Sequence, residues 1–355
     1  MQTTFIILIL LLGFLITFQI AKASEYVSVM RGEEKSRRQT NRINAFLLLV
    51  FLVLGLIGVY YCNEKYGGKI LQFGSSASDH GDDVDNMLKI TIIITGIVFI
   101  ITQIILFWFA YKYQESDNRK AYYYPHNNKL EVLWTAVPAI VLTVMVGFGL
   151  YYWFRITGEA PANAMQIEIT GSQFKWEYRY PGKDKVLGKK YFKAINESEN
   201  NPLGQLWEDS ANKDDIYIPP GDPMHLVVNK PVRLIINAKD VIHDVGLSHF
   251  RLKMDAVPGT PTTMWFTPTR TTAQMKKEMD DPDFVYEISC DQMCGQSHYK
   301  MRGIIIVESQ EEFDFWMAKQ KPKFYLAHPE KDPEAMKAKA DSSNINAAAM
   351  SQKNN

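Results

Sequence analysis

The residues best suited to chemistry in this 355-residue chain lie close together in the stretch CDQMCGQSHYKM, residues 290–301. Three residues separate Cys290 from Cys294, His298 follows at the same spacing, and Met301 comes soon after. The one further cysteine of the chain is Cys62. Thiolate, imidazole and thioether groups are all metal ligands, so this spacing predicts either a metal site or a disulfide.

Three interpretations of this stretch remain open on spacing alone. A disulfide between Cys290 and Cys294 would suit an oxidising compartment, but it assigns no role to the imidazole and the thioether. Zinc binds cysteine and histidine in tetrahedral sets, and the three-residue gap falls within the range of zinc sites. Methionine sulfur favours copper over zinc. A second imidazole is available at His243, which follows an apolar run and precedes Asp244.

A copper site with two thiolates differs from a blue-copper centre, which uses two histidines, one cysteine and a weak axial ligand. Two sulfurs can bridge two copper ions, and one histidine can then terminate each metal. Charge shared over two metals and two sulfurs changes bond lengths little when an electron arrives, so the barrier to electron transfer is low. Such a site indicates electron transfer, because it leaves no coordination position open to a substrate. Metal binding also keeps both thiolates deprotonated.

The elements that position this stretch are predicted to be strands. After Ala164 the chain alternates apolar and polar residues in short runs bounded by turn residues. The predicted strands cover residues 165–170, 173–180, 225–229, 232–238, 262–267, 284–290 and 303–308. Short strands separated by turn signals predict a Greek-key sandwich or barrel, with the cysteine stretch between its last two strands.

Two other parts of this region have different patterns. Residues 183–215 are polar and poorly periodic, which predicts a surface insertion. Ser309 and Glu312 form a capping-box pattern that begins a short helix extending to about Lys319. The composition after Pro322, rich in Ala, Lys, Ser and Asn, predicts a disordered tail.

The first part of the chain contains four apolar runs, and a membrane-spanning helix needs about 20 such residues. The runs are Phe5–Ile20, Ile43–Tyr61, Leu88–Tyr111 and Val132–Phe154. Basic residues concentrate in 22–42 and 112–131 and acidic residues in 62–87, so the positive-inside rule places everything after Phe154 outside. This orientation requires that the first run be retained, although AKA at 21–23 has the form of a signal-peptide cleavage site.

Together these residues resemble subunit II of the cytochrome c oxidases, the haem–copper respiratory oxidases with a binuclear copper (CuA) domain. The family loop C-x-E-x-C-G-x-x-H-x-x-M is similar to residues 290–301, and the family pattern D-V-[IL]-H is similar to residues 240–243. Further matches are WTAVP (134–138), GSQFKWEY (171–178) and LKMDAVPG (252–259). By this resemblance, the copper ligands are His243, Cys290, Cys294, His298, Met301 and the backbone carbonyl of Gln292.

The resemblance extends over roughly residues 85–308 and implies a cupredoxin-like, all-β Greek-key domain on an α-helical membrane anchor of about four helices. The expected parts are two extra N-terminal transmembrane helices with a basic cytoplasmic loop (1–62), a transmembrane hairpin (85–156), a periplasmic copper domain (157–322) and a disordered tail (323–355). The extra helices have no counterpart in the family's usual two-helix anchor. We interpret them as a contact for an accessory subunit or another respiratory complex, and Cys62 as structural.

The chain departs from the family pattern at two functional positions. Gln292 stands where the family has a glutamate whose carboxylate reaches a magnesium ion shared with subunit I. An amide oxygen is a weaker ligand for a hard cation, which weakens the expectation of magnesium at that interface. Phe174 stands where the family has the tryptophan that receives electrons from cytochrome c, and Trp176 remains nearby. Ordinary strand packing is the alternative role for Trp176.

Glu131, just before the last apolar run, resembles the family's carboxylate at the mouth of a proton path into subunit I. A glutamate at the start of a helix is also favoured by the helix dipole without any further role. The acidic residues Asp240, Asp244, Asp255 and Asp291 lie near the ligands in sequence. They would suit electrostatic steering of a basic haem protein, and scattered surface charge is the alternative.

The resemblance implies an electron-accepting subunit of an oxygen-reducing, proton-translocating oxidase in the bacterial inner membrane, with its copper domain on the periplasmic side. A c-type cytochrome or a haem domain of a neighbouring complex would supply electrons, because the chain itself has no C-x-x-C-H motif. Haem in subunit I would receive them. A membrane-tethered copper-delivery protein is the alternative function. The formal net charge of zero argues against nucleic acid as a partner.

Overall fold

The N-terminal part of the chain is helical in the computed structural model, which describes residues 2–70, 73–116, 118–333 and 336–337. The long helices are α1 (Gln2–Arg31), α2 (Glu33–Ile70), α3 (Gly81–Lys112) and α4 (Asn128–Thr157). Among the residues that the structure describes, three segments are long and apolar enough to cross a membrane: Glu33–Gly68, Gly81–Lys112 and Asn128–Thr157. A helix satisfies its own backbone polar groups, so it can cross the hydrocarbon region with apolar side chains facing outward. The chain is therefore a membrane protein.

The predicted basic loop at residues 22–42 is instead helical on both sides of one residue, Gly32. Gly32 has a φ of +85°, a left-handed conformation that ends a helix at little cost when the residue is glycine. The basic side chains of this region therefore lie on helix ends. The first of the four predicted spans, Phe5–Ile20, falls within α1. That it crosses a membrane stays a prediction, because some of its side chains lie outside the described residues.

The chain divides into two compact units, Met1–Gln72 with Lys89–Leu142 and Phe73–Leu88 with Thr143–Asn355. Within its described residues, the second unit contains two five-stranded sheets, ordered β3-β2-β1-β5-β8 and β4-β10-β9-β6-β7. The strands are β1 (Met165–Ser172), β2 (Lys175–Tyr180), β3 (Ile216–Ile218), β4 (Met224–Val227), β5 (Val232–Ala238), β6 (His243–Leu247), β7 (Leu252–Ala256), β8 (Thr262–Phe266), β9 (Tyr286–Cys290) and β10 (Arg302–Glu308). This architecture confirms the predicted all-β domain on a helical anchor.

The core lies between the two sheets, because alternate residues of each strand point toward the facing sheet. Ile167 and Ile169 of β1 are fully buried, as are Ile288 of β9 and Ile305 of β10. The same alternation along β9 directs Cys290 inward, two residues after Ile288. The period of the strand thus places the first thiol at the end of the core rather than on the surface.

Three short strands, β3, β6 and β7, were missing from the predicted set. His243 was predicted at the end of an apolar strand, whereas it is the first residue of β6. β6 contains a glycine and an aspartate, which weaken the strand pattern in the sequence. Pairing with β7 on one side and β9 on the other makes this segment a strand, because tertiary context outweighs strand propensity.

Residues 183–215 cover the outer face of β1 and β2, where charged side chains are buried. Arg179 donates to Glu168 and to Asp215, at 2.6 Å in each case, and Asp215 is fully buried. A buried charge is tolerated only when it is paired, so these ion pairs hold the insertion on the sheet. The predicted surface insertion therefore has an interior side, which includes the fully buried Asn212.

The predicted helix after Ser309 is confirmed as α5 (Gln310–Ala318), with the Ser309 and Glu312 side chains forming the expected capping box. The prediction of disorder from residue 323 was wrong at its start, because Lys323–Ala327 forms a short helix. Phe324 of this helix is buried and packs near Trp207 of the insertion, an apolar contact that composition does not reveal. Residues 338–355 of the predicted tail lie outside the described residues.

Segment 73–80, which we call the strap, joins the start of α3 to the β domain. Ala77 donates its backbone N–H to His249 O at 2.8 Å, and Asp79 donates to Thr267 O at 3.1 Å. The Thr267 N–H donates back to the Asp79 carboxylate at 2.9 Å. The strap is therefore held by backbone hydrogen bonds in the manner of an added strand.

His80 ends the strap and is fully buried, with its ring edge-on to Trp265 at a centroid distance of 4.9 Å. Neither ring nitrogen has a hydrogen-bond partner among the described residues. Burial lowers the pKa of His80 and nearby Arg155 lowers it further, while Asp79 and Asp83 oppose the shift. The closed strap therefore favours the neutral imidazole.

The strap is expected to loosen as the pH falls below about 6.5, because an opened His80 then takes up a proton that the closed site disfavours. Hydrogen exchange of residues 73–80 in the full-length protein, corrected for intrinsic rates, should rise by up to about tenfold per pH unit below that value. His80→Phe should remove the dependence, while His126→Phe, at an exposed histidine, should keep it. An equal pH dependence in the wild type and His80→Phe would contradict this account.

Candidate metal centre

Adjacent strands bring His243 and Cys290 together. β6 pairs antiparallel with β9 so that Val245 lies opposite Cys290, which places the start of β6 beside the end of β9. The chain then runs through residues 291–301 to β10. This loop closes on itself, because Cys290 donates its backbone N–H to Met301 O at 3.1 Å and Met301 donates to His298 O. The loop therefore brings its other predicted metal ligands back to the end of the sheet where Cys290 lies.

The first thiol has an imidazole and a carbonyl oxygen beside it. Cys290 Sγ lies 3.8 Å from His243 Nδ1 and 3.2 Å from Gln292 O. It lies 3.7 Å from Cys294 Sγ. The Gln292 side chain is exposed, so the residue presents its backbone rather than its amide to the thiol.

The second thiol has a similar pair of neighbours. Cys294 Sγ lies 3.6 Å from His298 Nδ1 and 3.9 Å from Met301 Sδ. The six predicted donors are thus gathered into one group, in which each of the two sulfur atoms has one imidazole and one weaker donor beside it. Of these donors, the ligand atoms of His243, Cys290 and Cys294 lie within 4.8 Å of one another.

This geometry separates the three interpretations of the cysteine stretch. The cysteines are free thiols, and their sulfur separation of 3.7 Å is far above the roughly 2.05 Å of a disulfide. A structural zinc site needs four tetrahedral ligands, whereas two thiols with four further donors around them suit a pair of metal ions. Thiolates with a thioether are soft ligands that favour copper. The donor set therefore fits a binuclear copper centre.

Burial protects these donors from water. His243 is fully buried, Cys294 is 4% exposed and Met301 is 1% exposed, whereas His298 is half-buried. Burial and the neighbouring Cys290 thiol raise the pKa of Cys294 to about 11. The thiol therefore keeps its proton at neutral pH until a metal displaces it, so metal binding must release protons.

Asp240 fixes the orientation of the His243 ring, a role that was not predicted from the sequence. Its Oδ1 accepts a hydrogen bond from His243 Nε2 at 2.8 Å, which leaves Nδ1 facing Cys290. A carboxylate bound to the remote nitrogen of a histidine is a common support for metal ligands. The three-residue interval in D-V-I-H is the sequence signal that points to this pair.

The two aromatic residues occupy different positions around the site. Trp176 is 2% exposed and lies edge-on to the His243 ring, with a centroid distance of 6.0 Å. Phe174 is half-buried, and its ring lies against Gly295, next to Cys294. Position 171 must be glycine, because a Cβ there would lie 2.9 Å from the Trp176 ring and 3.1 Å from the His243 ring. Close packing thus holds both aromatic rings near the donors.

Three of the four acidic residues noted in the sequence meet on one face of the sheet. Asp244 lies directly opposite Asp255 in the β6–β7 pair, and Asp291 donates its backbone N–H to Asp244 O. Burial and the Asp255 side chain raise the pKa of Asp244 to about 6, although Lys253 lies 3.3 Å from it. Asp240 lies apart from this group, bound to His243.

Glu131 lies in the first turn of α4, where its carboxylate accepts the backbone N–H of Asn127 at 3.2 Å. The Asn127 side chain in turn accepts the N–H of Leu130 at 3.2 Å. Glu131 is thus part of a reciprocal helix cap, which satisfies two backbone donors. Glu131 belongs to the first compact unit and is not one of the six predicted metal ligands.

The sandwich fold and its sulfur–imidazole site define a class of membrane-anchored, metal-binding β-domain proteins. The family model for the cytochrome c oxidase subunit II transmembrane domain matches residues 66–151. The model for the periplasmic domain of the same subunit matches residues 165–309. The chain therefore belongs to the cytochrome c oxidase subunit II family.

Curated relatives agree with this assignment. The chain is 35% identical over 240 residues to the alternative cytochrome c oxidase subunit 2 of Bradyrhizobium diazoefficiens, covering 67% of this chain and 80% of that protein. It is 28% identical over 233 residues to cytochrome c oxidase subunit 2 of Cereibacter sphaeroides, covering 64% and 72%. A crystal structure of the periplasmic domain of subunit II of cytochrome oxidase from Bradyrhizobium japonicum shares 23% identity, with a TM-score of 0.32, and covers 47% of this chain and 99% of that one.

Cys294→Ala and His298→Ala are each expected to lower the copper affinity of the full-length protein by about tenfold or more, because each variant removes a donor. Copper per chain after purification is the measurement. Cys62→Ala is the matched control and should retain the wild-type content, since Cys62 is exposed on α2, outside the β domain. Full copper content in the Cys294 variant, or copper loss in the Cys62 variant, would contradict the assignment.

Proposed function

We propose that this chain is the electron-accepting subunit of a proton-translocating cytochrome c oxidase. In this proposal it receives electrons from a c-type cytochrome and delivers them to haem in subunit I, where oxygen is reduced. The observation that carries the proposal is the pair of buried thiols, 3.7 Å apart, each with an imidazole beside it. Membership of the subunit II family supports the same function.

The donor arrangement explains why the site suits electron transfer. A pair of copper ions held by Cys290, Cys294, His243 and His298 would supply a centre that gains and loses one electron with little change in bond length. Cys290 and Cys294 lose their protons on loading, and Asp240 keeps the His243 ring in place. Burial of Met301 and Cys294 keeps water from the sulfur atoms. These residues are therefore organised to hold two metal ions rather than to bind a substrate.

The aromatic residues divide the proposed electron path between them. Trp176 is buried against His243, so it can carry electrons only inside the domain. Phe174 is half-buried beside Gly295 and is the one of these two aromatic residues that a donor protein can reach. Electrons are thus proposed to enter near Phe174.

Glu131 is proposed to lie at the opening of a proton path in subunit I, in addition to its observed capping bonds.

The decisive measurement is electron paramagnetic resonance of the purified full-length protein, together with its copper content. Two copper ions per chain, with one unpaired electron shared over both nuclei, are expected. A single localised copper ion would contradict the proposal. Copper that transfers readily to a competing chelator would favour the copper-delivery function instead, because an electron carrier must retain its metal during turnover.

Because position 292 is a glutamine, we expect magnesium to bind weakly at the proposed interface with subunit I. The exposed amide of Gln292 offers a neutral oxygen where a glutamate would offer a carboxylate. Gln292→Glu is therefore expected to raise the retention of Mn²⁺, a paramagnetic substitute for Mg²⁺, by about tenfold in the assembled oxidase. Gln296→Glu, at another exposed glutamine of the same loop, is the control. Equal Mn²⁺ signals in the wild type and both variants would refute this role for position 292.

A further inference from the structure

One carboxylate links the metal site to the turn between β1 and β2. Asp240 Oδ1 accepts from His243 Nε2 at 2.8 Å, while Oδ2 accepts from the backbone N–H of Gln173 at 2.7 Å. Asp240 therefore accepts hydrogen bonds on both of its oxygens, one from the ring of His243 and one from the turn.

Gln173 extends this connection to the cysteine loop. Its side-chain Nε2 donates to Cys294 O at 2.6 Å, a bond between groups 121 residues apart in the chain. The next residue, Gly295, has a φ of +133°, a conformation reserved for glycine. A Cβ at Gly295 would also lie 2.9 Å from Gln173 Nε2 and 3.0 Å from the Phe174 ring. Backbone conformation and space thus both require glycine where the turn contacts the loop.

We propose that Asp240 and Gln173 form a positioning clamp that holds Phe174 at a fixed distance from the copper pair. Asp240 orients His243 and anchors the turn, and Gln173 fastens the turn to the carbonyl of Cys294. This inference rests on the proposed function, because it assigns the clamp a role in electron input. Neither residue is a metal ligand or an electron carrier.

The clamp matters for electron input because electron transfer slows steeply as the gap between carriers widens. Phe174 is the residue directly after Gln173, so release of the Gln173 side chain frees the aromatic ring from Gly295. The bond that is lost goes to the backbone carbonyl of Cys294 and not to its thiol. Asp240 differs, because its removal frees the turn and the His243 ring together. The two residues therefore predict separable effects.

Gln173→Glu tests the turn alone, since the carboxylate has the same shape as the amide but cannot donate to Cys294 O. The variant is expected to keep wild-type copper content and the wild-type electron paramagnetic resonance spectrum. Its second-order rate of copper reduction by reduced mitochondrial cytochrome c, measured by stopped flow in the assembled oxidase, is expected to fall about tenfold. Ruthenium hexaammine, a small reductant that needs no docking surface, should reduce both proteins at the same rate.

Asp240→Asn and Asp240→Ala test the role of Asp240, which holds both the turn and the His243 ring. The asparagine oxygen can still accept from His243, so this variant should retain copper while shifting the histidine nitrogen hyperfine couplings and the reduction potential. Asp240→Ala should lose both the spectrum and the rate. If Gln173→Glu reacts with cytochrome c at the wild-type rate, or changes the spectrum as the Asp240 variants do, the clamp is refuted. A wild-type protein without the two-copper signature would instead refute the proposed function.

Discussion

The two free thiols inside a sheet sandwich are the constraint on which the site depends. Cys290 is directed inward by the strand period of β9, and Cys294 is returned beside it by a loop with its own backbone hydrogen bonds. Held 3.7 Å apart, the sulfur atoms are too distant for a disulfide and close enough to share metal ions. The other donors gather around this pair, so the loop conformation determines the chemistry available to the domain.

The surroundings of the thiols are built from hydrogen bonds that do not involve a metal. Asp240 holds the His243 ring, Gln173 holds the carbonyl of Cys294, and tight packing over Gly171 holds Trp176. These bonds and contacts prepare the site without a metal. The same preparation explains why several supporting residues are glycines or short polar side chains, since these allow backbones to approach closely.

The β domain buries polar groups on its outer side as well as apolar groups between its sheets. Arg179, paired with Glu168 and Asp215, lies under the 183–215 insertion, and the strap at 73–80 is joined to the domain by backbone bonds. Buried ion pairs contribute less to stability than apolar packing does, because both charges must lose water. Their position instead fixes where the insertion attaches to the sheet.

The sequence alone predicted the helical anchor and the all-β domain, because apolar length and strand period are local properties. The six ligands were implied by the resemblance of residues 240–243 and 290–301 to the family patterns. The helical course of residues 22–42 is interrupted at Gly32, a local feature. Pairing and packing between distant segments decided strands β3, β6 and β7 and the helix at Lys323–Ala327. The same holds for Gln173, whose bond to Cys294 joins residues far apart in the chain. Spacing left disulfide, zinc and copper open, and only the tertiary structure brought four further donors around the two separate sulfur atoms. The local sequence thus sets which residue types can bind a metal, whereas the distances between the ligand atoms depend on the tertiary structure.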